Sequence, residues 1–245
     1  MTLKPTTDTL MTNEAIVLAG GLGTRLRGVI GTYPKCMAEV NGRPFLHYVL
    51  RYLRQQGITR AILSLGFMSE VVTDWLAASP GYGLVVDWVI ENEPLGTGGG
   101  IRLAMSIVTA PQVFVLNGDT FFDVNLDAMY SDHKSHGAET TVALKEMHDF
   151  DRYGCVRTDV AGNVVAFEEK QPMAVGDING GIYLIDSHDF MARSLAMKCS
   201  FEKDYLEKSV AEGRFFAYRS GGYFIDIGIP EDYARVQVDF KTMFP

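Results

Sequence analysis

The chain has 245 residues, 47% hydrophobic and 21% charged, with a formal net charge of −8. That length buries a sizeable core, and no segment approaches the roughly 20 consecutive apolar residues of a membrane span, so a soluble protein without a membrane partner is expected. The acidic balance argues against a nucleic-acid partner, and Cys36, Cys155 and Cys199 lie far apart without a Cys-x-x-Cys pair, which indicates neither a disulfide framework nor a zinc site and makes a cytoplasmic location the simplest reading.

Residues 1–12 are polar and Thr-rich without a signal-peptide core and read as a flexible tail ahead of a single domain over 13–245. The apolar run Ala15 to Leu18 then has strand character and feeds into a turn carrying Gly20, Gly21 and Gly23, with Arg25 and Lys35 close behind. Glycines let successive backbone N–H groups converge on an anion, and the two cations add charge, so the stretch reads as a phosphate cradle. Asn41-Gly42 marks a turn, and Pro44 opens a helix with Phe45, Leu46, Val49, Leu50 and Leu53 at helical spacing that stops at Gly57. Arg60 to Leu65 predicts a buried strand, Ser69 to Ala78 a helix and Leu84 to Ile90 a second strand. A second glycine-rich loop, Glu91 to Gly100, opens a short helix over Ile101 to Ile107, and Val113 to Leu116 is a central strand ending at Asn117-Gly118-Asp119.

This alternation predicts an α/β fold, a Rossmann-like, mostly parallel sheet flanked by helices, with ligands at the carboxyl ends of its strands. Both glycine loops and Asp119 fall at such ends, which places them in one crevice. From Thr140 onward, Thr140 to Leu144, Gly154 to Thr158, Val164 to Glu168 and Ile178 to Leu184 read as strands with few helices between them, so antiparallel additions are expected at one side of the sheet. Helices follow at Ser187 to Ser194 and Phe201 to Glu212, then a strand from Tyr223 to Ile227 that sets Asp226 near Gly228, and a closing helix from Pro230 to Phe240.

The first loop fails two phosphate motifs. A Walker A loop needs Gly-Lys-Ser/Thr where Gly23 is followed by Thr24-Arg25, and a dinucleotide fingerprint needs glycine where Leu26 stands. What remains, Gly-Gly-x-Gly-Thr-Arg after a strand with Pro34-Lys35 behind it, resembles the signature of the sugar-1-phosphate nucleotidyltransferase family. The resemblance runs in order through Leu95-Gly-Thr-Gly-Gly99, Asn117-Gly-Asp119, Phe167-Glu-Glu-Lys170, Asn179-Gly-Gly-Ile-Tyr183 and Phe224 to Tyr233. Phe150-Asp-Arg-Tyr-Gly154, Ile178 to Tyr183 and the short C-terminus look most like the family branch acting on D-glycero-α-D-manno-heptose 1-phosphate and GTP. Cys36 stands where the family usually has proline, Gly100 where it has alanine and Ile229 where threonine is common, and none of these is an ionisable position of the family's motifs.

The resemblance implies a glycosyltransferase-A-like fold and a Mg²⁺-dependent attack by a sugar 1-phosphate oxygen on the α-phosphorus of a nucleoside triphosphate, releasing pyrophosphate. The nucleophile is already an anion, so alignment and charge neutralisation replace a general base. By the same resemblance Asp119 and Asp226 are Mg²⁺ ligands, Arg25 holds the β- and γ-phosphates and Lys35 the α-phosphate. Leu18, Ala19, Gly20, Gly21, Gly23, Thr24, Glu93, Gly96, Thr97 and Gly98 are expected to bind the nucleotide, with Gly96 and Gly98 letting the backbone approach base and ribose. Glu91 and Glu93 are acceptors suited to the donors of guanine, and read equally well as a solvated acidic loop. Tyr153, Gly154, Glu169, Lys170, Asn179 and Gly180 are assigned to the sugar phosphate. The partners expected are the two substrates, with homo-oligomerisation left open, in nucleotide-sugar synthesis for surface polysaccharide or glycoprotein. The same reaction with mannose 1-phosphate, or with glucose 1-phosphate and UTP or dTTP, is the enzymatic alternative. A non-catalytic sugar-nucleotide-binding subunit is the alternative of another class, against which the presence of Arg25, Lys35, Asp119 and Asp226 argues.

Overall fold

The β-branched and apolar runs pair into one sheet, and residues along each strand alternate between its two faces. The computed structural model describes residues 12–21, 28, 31–79, 81–211 and 214–244. In chain order these form β1 (Glu14–Leu18), a 3-10 turn (Lys35–Met37), β2 (Glu39–Val40), β3 (Arg43–Pro44), α1 (Phe45–Gln55), β4 (Arg60–Leu65), α2 (Ser69–Ala78), β5 (Val85–Ile90), α3 (Gly96–Met105), β6 (Gln112–Asn117), β7 (Thr120–Phe122) and α4 (Leu126–His136). The second half adds β8 (Thr140–Phe150), β9 (Val156–Thr158), β10 (Val164–Phe167), β11 (Met173–Asp186), α5 (Ser187–Ala192), a π-helical stretch (Phe201–Leu206), the single turn α6 (Glu207–Ser209), β12 (Phe215–Arg219), β13 (Phe224–Asp226) and α7 (Pro230–Met243).

Seven strands make the main sheet in the order β12-β8-β11-β6-β1-β4-β5. β1 runs parallel to β4 and β6, β4 to β5, and β8 to β12, whereas β11 is antiparallel to both of its neighbours. The mostly parallel sheet flanked by helices is therefore the expected one. The antiparallel addition expected at one side is there: β11, β8 and β12, all from Thr140 onward, form one flank of the sheet. β11, at 14 residues twice the length of the Ile178 to Leu184 run, is inserted between β6 and β8. Ribbons β9/β10, β7/β13 and β2/β3 supply the remaining antiparallel pairs.

Period-2 alternation divides the core. Ala15 and Val17 face a cluster with Phe45 and Leu50 of α1 and Phe240 of α7, while Ile16 faces a second cluster with Ile101 of α3, Phe201 and Tyr205. At the base of β1, buried Glu14 accepts from Arg60 Nη1 at 2.6 Å and from the N–H groups of Thr109 and Ala110 at 2.7 and 2.9 Å, which satisfies a carboxylate that burial alone would destabilise. Thr12, grouped with the tail in the sequence reading, is buried, and its hydroxyl donates to the Gln112 carbonyl. All three cysteines are free and buried, and no helix of the described residues is long and apolar enough to cross a membrane.

Several boundaries move for local reasons. Pro44 pairs with Glu39 in the β2/β3 ribbon and only caps α1, which starts at Phe45. The helix predicted over Phe201 to Glu212 is a π-helical stretch and one α-turn ending at Ser209. α4, for which no element was predicted, is set by the Asn125 side chain accepting from Ala128 N and by Gly137 at φ +57°.

His133 of α4 is buried with its Nδ1 2.8 Å from Thr141 Oγ1. Burial, reinforced by the Lys134 charge, pushes its pKa from an ordinary 6.5 down to about 4. The unfolded chain therefore takes up the proton first, so the stability His133 contributes is intact above pH 6.5 and is lost as pH falls through 6.5 toward 4. Urea unfolding between neutral pH and about pH 4.5 is expected to show a falling midpoint, and His133→Gln to flatten that fall whatever its cost at neutral pH. An unchanged slope in the variant would assign the acid sensitivity to other groups.

Candidate active site

Leu18 of β1 lies in register with Ser64 of β4 and Asn117 of β6, so three parallel strands end at one level. Beyond those ends opens a cavity of about 350 Å³, lined by Leu18, Ala19, Gly20 and Gly21 after β1, by Glu91 after β5, by Gly96 and Thr97 at the start of α3, and by Lys35 and Asp119. The crevice inferred from strand ends thus exists. Gly23, Thr24 and Arg25 lie outside the described residues.

Backbone sterics deliver the charged groups. Gly118 donates its N–H to Leu18 O at 2.9 Å, and a Cβ on it would stand 2.6 Å from that same oxygen, so only glycine allows the turn that presents Asp119. Pairing of β13 with β7 aligns Asp226 with Thr120, and Ile227 N donates to Asp119 O at 3.1 Å. Lys35, from the 3-10 turn after Pro34, reaches between them, its Nζ 2.6 Å from Asp119 Oδ2 and 3.1 Å from Asp226 Oδ1. Burial, then the Asp119 charge, raises the Asp226 pKa against the opposing pull of Lys35. Burial alone would lower Lys35, but the attraction of Asp119 and Asp226 together outweighs it and its pKa rises. Cys36 is fully buried, and burial together with the Asp119 charge pushes its thiol up to about 12, so the residue that stands in the family's proline position is an inert packing group.

A second cavity, about 310 Å³, adjoins the first and is lined by Tyr153, Gly154, Lys170, Asn179, Gly180 and Asp226. Glu169 borders a neighbouring hollow of about 310 Å³ together with Lys170. Adjacent Glu168 borders the same hollow, just past the end of β10, and its Oε1 accepts from Arg157 Nε at 2.8 Å. Asn179 donates Nδ2 to Tyr183 at 2.8 Å and accepts Gly181 N at 3.0 Å, which fixes its amide and leaves one N–H and one lone pair for a ligand. The Tyr153 ring lies between the Arg152 guanidinium, 5.4 Å away, and Phe224, at 5.9 Å edge-on, and burial followed by the Asp226 charge pushes its phenol up to about 12.

The second glycine-rich stretch differs from its expectation. Residues from Gly96 onward are already helix, and Gly98 is buried away from the crevice lining. Its N–H donates to Cys199 O at 3.0 Å, and a Cβ there would stand 2.7 Å from Cys199 Sγ. The backbone that approaches Gly98 is therefore the chain's own segment 197–201. A Cβ on Gly100 would stand 2.8 Å from Glu91 Oε1, so the missing methyl makes room for the Glu91 carboxylate, which also accepts Leu95 N at 2.8 Å. Glu93 is exposed and outside the cavity lining, so of the two glutamates it is Glu91 that borders the crevice.

Glu202 was missed by sequence reasoning, because an acidic residue inside a helical run carries no signal. It borders all three cavities, and its Oε2 accepts from Thr97 Oγ1 at 3.0 Å and Ser200 Oγ at 3.1 Å. His188, given no chemistry, lies with Asp186 and Asp189 with ligand-type atoms within 4.8 Å, but Asp186 caps α5 and Asp189 pairs with Arg214.

A Cβ on Gly99 would overlap Met197 O, so Gly99→Ala is expected to cost about 1–3 kcal/mol despite the helix propensity of alanine. Among the described residues nothing lies within 4 Å of a Cβ on Gly21, and Gly21→Ala is expected to stay within about 0.5 kcal/mol. Thermal unfolding of both variants checks the contrast, and equal melting temperatures would refute the packing argument.

The family model described as nucleotidyl transferase matches residues 14–242. The chain is 45% identical over 228 residues to the D-glycero-alpha-D-manno-heptose 1-phosphate guanylyltransferase of Aneurinibacillus thermoaerophilus, covering 93% of this chain and 98% of that one. It is 43% identical over 220 residues to the Campylobacter jejuni protein of the same name, covering 90% and 96%. The crystal structure of HddC from Yersinia pseudotuberculosis complexed with GMP-PN matches with a TM-score of 0.85 at 36% identity, covering 94% of this chain and 100% of that one. With the strand-end crevice, the motif order and a match across nearly the whole chain in agreement, the chain belongs to the nucleotidyl transferase family.

Proposed function

We propose that this chain transfers a guanylyl group from GTP to D-glycero-α-D-manno-heptose 1-phosphate, releasing pyrophosphate, with Mg²⁺ as cofactor and in the cytoplasm. The observation that carries the reaction is the Lys35 ammonium 2.6 and 3.1 Å from two carboxylates, at the meeting of two cavities. The GTP and heptose assignments rest on the two guanylyltransferases that the chain resembles along nearly their full length.

In this reading the first cavity takes the triphosphate, with Gly20 and Gly21 beside the phosphates and, by the family resemblance, Gly23, Thr24 and Arg25 completing the phosphate contacts. Lys35 meets the negative charge that builds on the α-phosphate as the sugar phosphate oxygen attacks. Leu18, Ala19, Gly96 and Thr97 shape the nucleoside end. Glu91, in place of Glu93, is the acceptor for the N1–H and 2-amino donors of guanine. Tyr153, Gly154, Asn179 and Gly180 orient the sugar, Glu169 accepts from its hydroxyls and Lys170 meets its phosphate. Asp119 and Asp226 are hard oxygen donors already spaced to share one cation, as two ligands of a Mg²⁺ ion should be, and the ion when bound neutralises phosphate charge.

A matrix of four triphosphates against several sugar 1-phosphates, read by pyrophosphate release, tests the proposal. The pair of GTP and the manno-configured heptose is expected to turn over fastest, and no turnover with any pair would leave a binding protein. Asp119→Asn and Asp226→Asn are each expected to lower kcat by about a hundredfold or more, as loss of a transition-state charge partner does. Glu91→Gln is expected to narrow the preference for GTP over ATP by about tenfold, and an unchanged preference would remove the carboxylate from base choice.

A further inference from the structure

The two carboxylates assigned to the cation are not free to receive it. Asp119 Oδ2 and Asp226 Oδ1 both accept from the Lys35 ammonium, whose side chain is 14% exposed against 37% and 31% for the aspartates. Asp119 Oδ1 accepts from Thr120 Oγ1 at 3.3 Å. Beneath the group lies Gly228, where a Cβ would stand 3.0 and 3.2 Å from the two Asp226 oxygens and 3.2 Å from Lys35 Nζ, so the glycine leaves the space in which the three groups meet.

We propose that the Lys35 ammonium occupies, in the substrate-free enzyme, the position between Asp119 and Asp226 that the divalent cation takes during catalysis, so that the cation enters as the triphosphate draws Lys35 away. The inference rests on the reading of Asp119 and Asp226 as cation ligands. The ammonium sits on the oxygens through which the two carboxylates would jointly hold one cation, and a second cation at contact distance would add its repulsion to that competition. The backbones that carry the two aspartates are fixed. Asp119 is held by the Gly118 turn and by Ile227 N on its carbonyl, and Asp226 by the pairing of β13 with β7. The movable partner is the lysine, a compact charge on a flexible four-carbon stem that bonds carboxylate and phosphate oxygens equally well. Its new place is at hand, since Lys35 lines the same cavity as Gly20 and Gly21.

Cation and triphosphate are then thermodynamically coupled through one side chain. The cation alone must compete with an ammonium, and the triphosphate removes the competitor while gaining it as a contact, so each ligand strengthens the other beyond their mutual chelation. The apo enzyme also holds its two carboxylates together, with one of their charges balanced, without any metal.

Mn²⁺ is the probe, titrated into the full-length protein without nucleotide and followed by loss of its free-ion EPR signal. At about 0.5 M salt the screening length is roughly 4 Å, so exposed charges farther from the site contribute little to the Mn²⁺ affinity. Lys35→Met and Lys35→Gln are expected to bind Mn²⁺ roughly ten- to hundredfold more tightly than the unaltered protein, the scale of one charge-assisted hydrogen bond. The two variants guard against a misfold in either one, which melting curves identify. Equal or weaker Mn²⁺ binding in a folded Lys35 variant overturns the exchange while leaving the aspartates as ligands. Asp226→Asn added to Lys35→Met is expected to abolish the gain. If Mn²⁺ affinity ignores Asp119→Asn and Asp226→Asn altogether, the aspartates are not the cation site, and the exchange falls with that reading.

Discussion

One ammonium shared by two carboxylates ties together three parts of the chain: the turn after Pro34, the end of β6 and the C-terminal ribbon strand β13. Without the lysine, two aspartates would face each other in a partly buried crevice, and like charges at that spacing disfavour the ionised pair. Without the aspartates, a mostly buried ammonium would lack a counter-charge. Each group lowers the cost of burying the others, so the three stabilise the mouth of the crevice together.

Around that centre the two cavities divide the molecule along its topology. The parallel strands β1, β4 and β6 end together and shape the first cavity, whereas the second is walled by β11 and by the loop that carries Tyr153 and Gly154. β11 passes through the main sheet beside β6 and shifts register between Asn179 and Tyr183, where Gly180 and Gly181 lie. That irregularity bends the strand's polar residues toward the crevice while Ile182 to Ile185 stay in the core.

Much of this arrangement was legible in the letters. β4 and α2 fall at the residues that periodicity predicted, because each has an unambiguous period and clean punctuation at both ends. α4 was not legible, since it buries only Leu126, Met129 and His133 and otherwise reads as a polar stretch. The long β11 was cut short at its start because Gly176-Asp177 looks like a break, although tertiary pairing with β8 carries the strand through it. The glycines of α3 announced a close approach but not what approaches, and a local pattern cannot identify Cys199 as the neighbour across the packing seam. Glu202 was invisible for the same reason, since its position at three cavities comes wholly from how the π-helical stretch docks on α3.

That docking seam has a consequence for how the protein can change over evolutionary time. Gly96, Gly98 and Gly99 press closely on segment 197–201, and Thr97 Oγ1 receives Phe201 N at 2.8 Å, so a tightly packed seam carries Glu202, which borders both cavities. A joint packed that closely has little adjustable filler, and a larger sugar cannot be accommodated by trimming one residue there. The exposed pair Glu169 and Lys170, at the end of the β9/β10 ribbon, is free of that restriction. Divergence in sugar preference therefore has its room on the ribbon side, while the glycine seam keeps the spacing between the two substrates constant.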